Sequence, residues 1–445
     1  MRWRSPGDDD PTAAAPGFNL AVAALLFSVF CSAAAAVAQA TALGKQVYDL
    51  TGRELDLGWL GLAEFAPAAL LVLVTGAVAD RRDRRRVAAS AAVAEAAVAG
   101  ALALYAGTGP TSASPIFALV FVFGVARAFA APAFRALPAD VVEPERLPWL
   151  VARFSGAWQA ALVVGPVLGG FLYTVDPRLA YVASAGLLLA SAAGLFVVKV
   201  RAGAAAPAPL ADPLAAAATE PVVGHLEAAP PAPTRWRDAV EGIRLIRRAP
   251  LLLGAISLDL FAVLFGGAVA LLPAIATTRL GVDAVGLGWL RAAGGVGAGL
   301  VTLALALRPV RRRVGKTLLA VVAGFGLATI VLGTTRSFTV ALVAIAVLSG
   351  ADAVSVFIRA TLVPLVTPQE KRGRVLAVEN VFIGASNELG AFESGVAGQL
   401  LGPAGAIVLG GVATVAVAGG WWFLFPDLRE VDGFPESAEQ AAPFM

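Results

Sequence analysis

Long apolar runs separated by short charged gaps organise this chain of 445 residues. Twelve runs can be traced, at 18–42, 57–79, 87–106, 116–136, 149–173, 179–200, 251–277, 285–307, 317–333, 338–364, 375–401 and 404–425. Each is close to the length of about 20 residues that an α-helix needs to cross a bilayer. In hydrocarbon such a segment must satisfy its backbone N–H and C=O groups within itself, which a helix does. The pattern predicts an all-α polytopic membrane protein with 12 transmembrane helices in two six-helix bundles.

The joint between the bundles begins with an irregular stretch poor in polar residues. Residues 1–17 read as an N-terminal tail, 18–200 as the first bundle, 201–250 as a linker, 251–425 as the second bundle and 426–445 as a C-terminal tail. The stretch 201–234 is rich in Ala and Pro and reads as a flexible spacer. After it, RWRDAVEGIRLIRR predicts an amphipathic helix over 235–248, with Trp236, Val240, Ile243 and Ile246 on one face and arginines on the other. That pattern suits a helix on the inner membrane surface, and equally a short helix packed on the protein's own loops.

Composition narrows the function classes. The chain is 58% hydrophobic and 15% charged, far from the roughly one-quarter charged residues of soluble domains. One cysteine, Cys31, and one histidine, His225, leave no disulfide framework and no His/Cys metal site. No Ser/His/Asp or Cys/His arrangement supports an enzyme, so no catalytic residue, metal or cofactor is expected. A net charge of +3 carried by loop residues gives no nucleic-acid surface. The first apolar run is too long for a cleavable signal. If both termini are cytoplasmic, 25 of the 34 Lys and Arg residues fall on that side. Only Lys45, Arg53, Arg178, Arg279 and Arg336 fall outside, so the positive-inside rule orients the chain N-in and C-in.

Ionisable residues inside spans are functional candidates, because a charge in hydrocarbon is costly unless it faces a partner or water. Glu64, Glu95, Arg127, Arg153, Asp259, Arg291, Asp352, Arg359, Glu379, Glu388 and Glu393 qualify. Glu64, Arg127, Asp259, Glu388 and Glu393 are candidates for coupling. The eleventh run, VENVFIGASNELGAFESG, places Asn380, Gly384, Asn387, Ala391 and Ser394 on one small polar face and Glu379, Ser386 and Glu393 on a neighbouring one. Asn380, Asn387, Asp352 and Glu379 are candidates for lining a substrate cavity. Packing is the alternative for this run, since small residues let helices approach closely and its acids can pair with Arg153 or Arg359.

The two halves repeat weakly. LGWL occurs at 57–60 and 287–290, and the loop GAVADRRDRRRV at 76–87 has an echo in RPVRRRVGK at 308–316 that contains no acid. Such halves place a substrate site between them near mid-membrane. The loop's Gly76, Asp80 and Arg81, followed by Arg84 and Arg85, resemble the loop signature of the major facilitator superfamily, with Asp83 where that signature has glycine. GPVLGG at 165–170 resembles the fifth-span motif of its exporters and antiporters, in which Gly165, Pro166, Gly169 and Gly170 bend a helix and allow close contact. Arg127 in GVARAF resembles the fourth-span arginine, although Ala131 replaces a glycine. GLAEFAPAALL at 61–71, APAFRALPADVVEPERLP at 131–148 and GASNELGAFESG at 384–395 resemble the enterobactin-exporter-like branch.

The resemblance implies a monomeric secondary transporter of the bacterial inner membrane. It implies export of small amphiphilic molecules, drugs or siderophore-like metabolites, by alternating access coupled to protons. A proton-coupled importer of the same fold and a transporter-like sensor or scaffold are the other readings. The loop signature implies a conformational latch between the halves, with Arg374, Glu379 or the amides near Lys371 as its partner.

Overall fold

A computed structural model of the chain describes residues 19–198 and 236–435, except for the side chains of 72–74, 76, 77, 79–81 and 236–239. The predicted tail 1–17, most of the linker and the last ten residues lie outside this range. Among the described residues the ordered elements are helical. The first half is α1 (Leu20–Thr51), α2 (Glu54–Arg81), α3 (Arg84–Ala106), α4 (Ser114–Val141), α5 (Leu147–Val175) and α6 (Pro177–Val197). A short helix α7 (Trp236–Arg248) precedes the second half. That half holds α8 (Pro250–Phe265), α9 (Leu272–Thr278), α10 (Ala284–Leu307), α11 (Val314–Thr334), α12 (Phe338–Val366) and α13 (Arg372–Leu424), and α14 (Pro426–Glu430) follows it.

The helices account for twelve crossings, as the apolar runs predict. A 3-10 turn, Gly267–Leu271, divides the seventh crossing into α8 and α9, because the chain meets Gly266, Gly267 and then Pro273. The 53-residue α13 is two crossings joined at Gly402, whose φ of 75° only glycine adopts freely, with Pro403 next. That break falls between the runs 375–401 and 404–425. The first crossing outlasts its apolar run by nine residues, to Thr51. There Lys45 pairs with Asp49 one turn on, and Gly52 in the left-handed region closes the helix.

Within each half the helices alternate direction and pack in the same way. In the first half α1 packs on α5 and α6, α3 on α4 and α6, and α2 on α4. In the second, α11 packs on α12 and α13, α10 on α12, and α8 on α13. The halves meet along two seams, α5 with α10 and α2 with α13. The end of the molecule where α1 begins is called here the terminus side, and the opposite end the far side. The buried cluster that crosses between halves sits on the far side, where Tyr48 and Leu57 pack with Leu271, Leu272, Ile275, Leu287 and Leu290. On the terminus side each half has its own core, around Leu137 and Leu150 in one and Leu252 and Val363 in the other.

The arginine-rich gaps between the second and third crossing of each half are short and capped differently. Asp83 is the N-cap of α3 and accepts from the backbone N–H groups of Arg85 and Arg86, which is how the turn closes without a glycine. In the echo, Arg313 takes the left-handed conformation instead, with φ 56°. The missing acid comes from the end of the chain. Asp432 accepts from the N–H of Arg313 through its side chain and from Val314 through its backbone, at 3.3 Å each.

Candidate functional site

Two buried charge groups lie at mid-depth, one in each half. In the first, Arg127 of α4 faces Glu95 of α3 at 3.4 Å and the hydroxyl of Ser32 of α1 at 3.3 Å. Both charged residues are removed from solvent, with Glu95 wholly buried. Glu64 of α2 stands within electrostatic range of Arg127 and Glu95, and also of Arg291, which reaches over from α10 in the other half. Arg291 is itself buried, beside Gly44 of α1, so one cation of the second half is housed against the first.

The second group centres on Arg359 of α12. Its guanidinium lies 2.7 Å from Asp259 of α8 and 3.8 Å from Glu379 of α13, with all three side chains buried. One planar cation thus ties three helices together, a geometry that a guanidinium serves better than an ammonium. Asp259 also borders a cavity of about 10 Å³ with Asp352, Ser355, Phe325 and Val322. That is room for about one water molecule between two acids. The two arginines sit on the fourth and tenth crossings, equivalent helices of the repeat.

The sequence candidates therefore separate. Glu64, Arg127 and Asp259 belong to these charge groups, and Glu379 is tied to Arg359 rather than open to a cavity. Asp352 lines the small cavity. Asn380 spends its amide on the carbonyl of Leu376, one turn back on its own helix, at 2.8 Å. Asn387 and Glu393 are half-buried. Glu388 is buried at the seam, where its Oε2 would lie 3.3 Å from a Cβ at Gly61 of α2. Among the described residues, Arg153 pairs with none of the acids. It is exposed, with its guanidinium 4.0 Å over the ring of Trp149 on the same helix. Glu95, Arg291 and Arg359 qualify in the sequence as ionisable residues inside spans but not as coupling or cavity residues, and the structure places all three in the two charge groups.

The seams rest on glycine. Gly165 and Gly169 of α5 face the backbone of α1 at Ala34 and Ala38, within the first half. Gly170 faces the other half instead, where a Cβ would lie 2.1 Å from the carbonyl of Ala284. Gly288 answers it, with a Cβ position 2.5 Å from the carbonyl of Pro166. On the second seam Gly58 approaches Phe392, and Gly395 approaches Gly58 and Glu54. The glycines of the repeated LGWL are thus the paired contact points of the two seams. Below them, Gln159 of α5 donates to the carbonyl of Gly295 of α10 at 2.5 Å. These approaches lie on the far side and at mid-depth.

The side chains of the loop signature at Gly76, Asp80 and Arg81 lie outside the described residues. Arg84 pairs with Asp140 at the end of α4 at 2.9 Å, and Arg85 donates to the carbonyl of Val198 at 2.9 Å. Both bonds stay within the first half. Of the expected latch partners, Arg374 pairs with Glu241 of α7 at 2.8 Å and Glu379 with Arg359.

The model of the Major Facilitator Superfamily matches residues 25–391. The chain belongs to the major facilitator superfamily. No match is found among curated proteins. Among solved structures, the superfamily fold recurs in a bacterial homolog of the human lysosomal transporter Spinster in an inward-facing, unoccupied conformation. It is 14% identical with a TM-score of 0.65, over 95% of this chain and 97% of that one. A D-xylose-proton symporter is 16% identical with a TM-score of 0.64, over 92% and 98%. The nucleoside transporter NupG, as its D323A mutant, is 12% identical with a TM-score of 0.64, over 92% and 100%. The chain is a multi-pass membrane transporter by family and fold.

Proposed function

We propose that this transporter exports small amphiphilic molecules, drugs or siderophore-like metabolites, from the bacterial cytoplasm across the inner membrane in exchange for protons. The observation that carries the transport mechanism is the one-sided contact between the halves. Buried apolar packing and glycine seams join them on the far side, while each half keeps its own core on the terminus side. Rocking about the mid-depth contacts would open the far side and close the other, which is alternating access. The excess of Lys and Arg in the terminus-side loops makes that side cytoplasmic, so this is the inward-open state.

Proton coupling is assigned to acids inside the spans, beginning with those that face cations across helices. Glu64 is first, because its charge partners lie in both halves and must separate when the halves rock. Asp259, Glu388 and Glu393 stand in line with it. A carboxyl in a dry site holds its proton more readily than in water, so exposure to opposite sides in turn can carry protons inward. Export is supported by the fifth-span GPVLGG and by the likeness of 61–71, 131–148 and 384–395 to the enterobactin-exporter-like branch. The loop at Gly76, Asp80, Arg81, Arg84 and Arg85 is assigned to the latch of the opposite, outward-open state.

Purified protein in proteoliposomes with an imposed pH gradient and a fluorescent amphiphile tests this reading. Substrate movement against the proton flow is expected, with most of it lost in Glu64→Gln. Movement with the protons makes the chain an importer. Flux indifferent to the gradient, unchanged in Glu64→Gln with Glu388→Gln, removes proton coupling.

A further inference from the structure

Helix α7 has two faces that do different things. On one, Gly242 lies so close to α13 that a Cβ would stand 2.9 Å from the carbonyl of Arg374 and 3.0 Å from Val378. Ile246 and Ala249 are buried on the same face, and Leu245 packs against the terminus-side core of the second half. Glu241 closes the contact with its 2.8 Å pair to Arg374. The helix is therefore docked on the protein at the first turn of α13.

Among the described residues, none covers the opposite face. Val240 and Ile243 are 42% and 39% exposed one turn apart, and Arg244, Arg247 and Arg248 are exposed beside them. The height of this face is fixed by the chain. Only Ala249 separates α7 from Pro250, where the membrane-crossing α8 starts, so the exposed stripe lies at the boundary between hydrocarbon and water. At that depth two aliphatic side chains rest among acyl chains while arginines reach up to phosphates. Glu241 is neutralised by Arg374, so the charge this face presents is positive and suits an anionic surface.

We propose that α7 binds anionic lipid headgroups of the adjoining leaflet and holds the terminus-side end of α13 at the membrane surface. The docked face explains why lipid charge would reach the transporter. The helix that carries Glu379 and Glu388 starts at the residues α7 grips. Lipid binding by α7 is independent of the direction in which substrate moves and of proton coupling.

A nitroxide at Ile243→Cys, with Cys31→Ser to remove the native thiol, tests it in the reconstituted full chain. Val240→Cys serves as the second position and Thr111→Cys, in an exposed loop, as the reference. In vesicles of phosphatidylcholine with phosphatidylglycerol, collision with a water-soluble nickel complex is expected to fall by about tenfold relative to Thr111→Cys, and oxygen collision to rise, because the apolar face is sunk in lipid. Omitting phosphatidylglycerol, or introducing Arg244→Gln, Arg247→Gln and Arg248→Gln together, is expected to reverse most of that protection. Nickel access equal to that of Thr111→Cys in both vesicle types would overturn the assignment to lipid. Protection that persists unchanged without phosphatidylglycerol and in the triple variant would overturn the role of anionic headgroups.

Discussion

At the residue scale, the chain's oddest positions are its charges in hydrocarbon, and the buried ion pairs among them each join residues of different helices. Arg127 and Glu95 illustrate the energetics. Taking both charges out of water is costly, and their attraction only offsets it while both remain. Arg127→Gln is thus expected to lower stability by about 3–5 kcal/mol, because it leaves the wholly buried Glu95 uncompensated. Adding Glu95→Gln should recover most of that loss, since the neutral pair can hydrogen-bond in the same space. Thermal unfolding of the purified variants checks this, and equal midpoints for single and double variants would show that the pair is not coupled. The charges themselves were legible in the sequence, as ionisable letters inside apolar runs. Their partners were not. Glu379 could have paired with Arg153 or Arg359, and only the helix packing puts Arg153 over Trp149 and Arg359 beside Glu379.

At the scale of elements, a glycine's meaning depends on which helix stands opposite it. Gly169 and Gly170 are neighbours, yet a Cβ on the first would meet Ala38 of the same half at 2.4 Å and on the second Ala284 of the other half at 2.1 Å. Gly169→Ala is therefore expected to destabilise the first bundle itself. Gly170→Ala should leave each bundle folded and push the far-side seam apart. A cysteine at Leu57, buried in the far-side cluster, reports the difference in a Cys31→Ser background. Its modification by a membrane-impermeant maleimide added from the far side should speed up in Gly170→Ala with little change in melting temperature. Faster labelling in Gly169→Ala alone would reverse the assignment. The crossings were legible because helices in hydrocarbon must be long and apolar, and the break at Gly402 was visible as Gly-Pro between two runs. The cap of α11 was hidden, because its acid, Asp432, arrives from more than a hundred residues away. The amphipathic helix was readable as a pattern, but the sequence left both its resting places open. The structure splits the predicted apolar face, with Gly242 and Ile246 against the protein and Val240 and Ile243 outward.

At the scale of the whole molecule, the repeat matters because it puts equivalent residues at equivalent contacts. LGWL at 57–60 and at 287–290 supplies Gly58 to one seam and Gly288 to the other, so a rocking motion can open both together. If the far side must open in each cycle, holding one seam shut should stop transport without touching any charged residue. Gly61 and Ala391 of the same seam give the handle, since a Cβ at Gly61 lies 3.7 Å from the Cβ of Ala391, the separation that a disulfide spans. Gly61→Cys with Ala391→Cys, in a Cys31→Ser background, is expected to transport when reduced and to fall to background when oxidised. Reductant should restore the rate, which separates locking from damage. The single variants should be insensitive to oxidant. Full transport by the oxidised, cross-linked protein would mean that substrate passes without parting this seam. The far-side contact would then be a fixed scaffold rather than a gate.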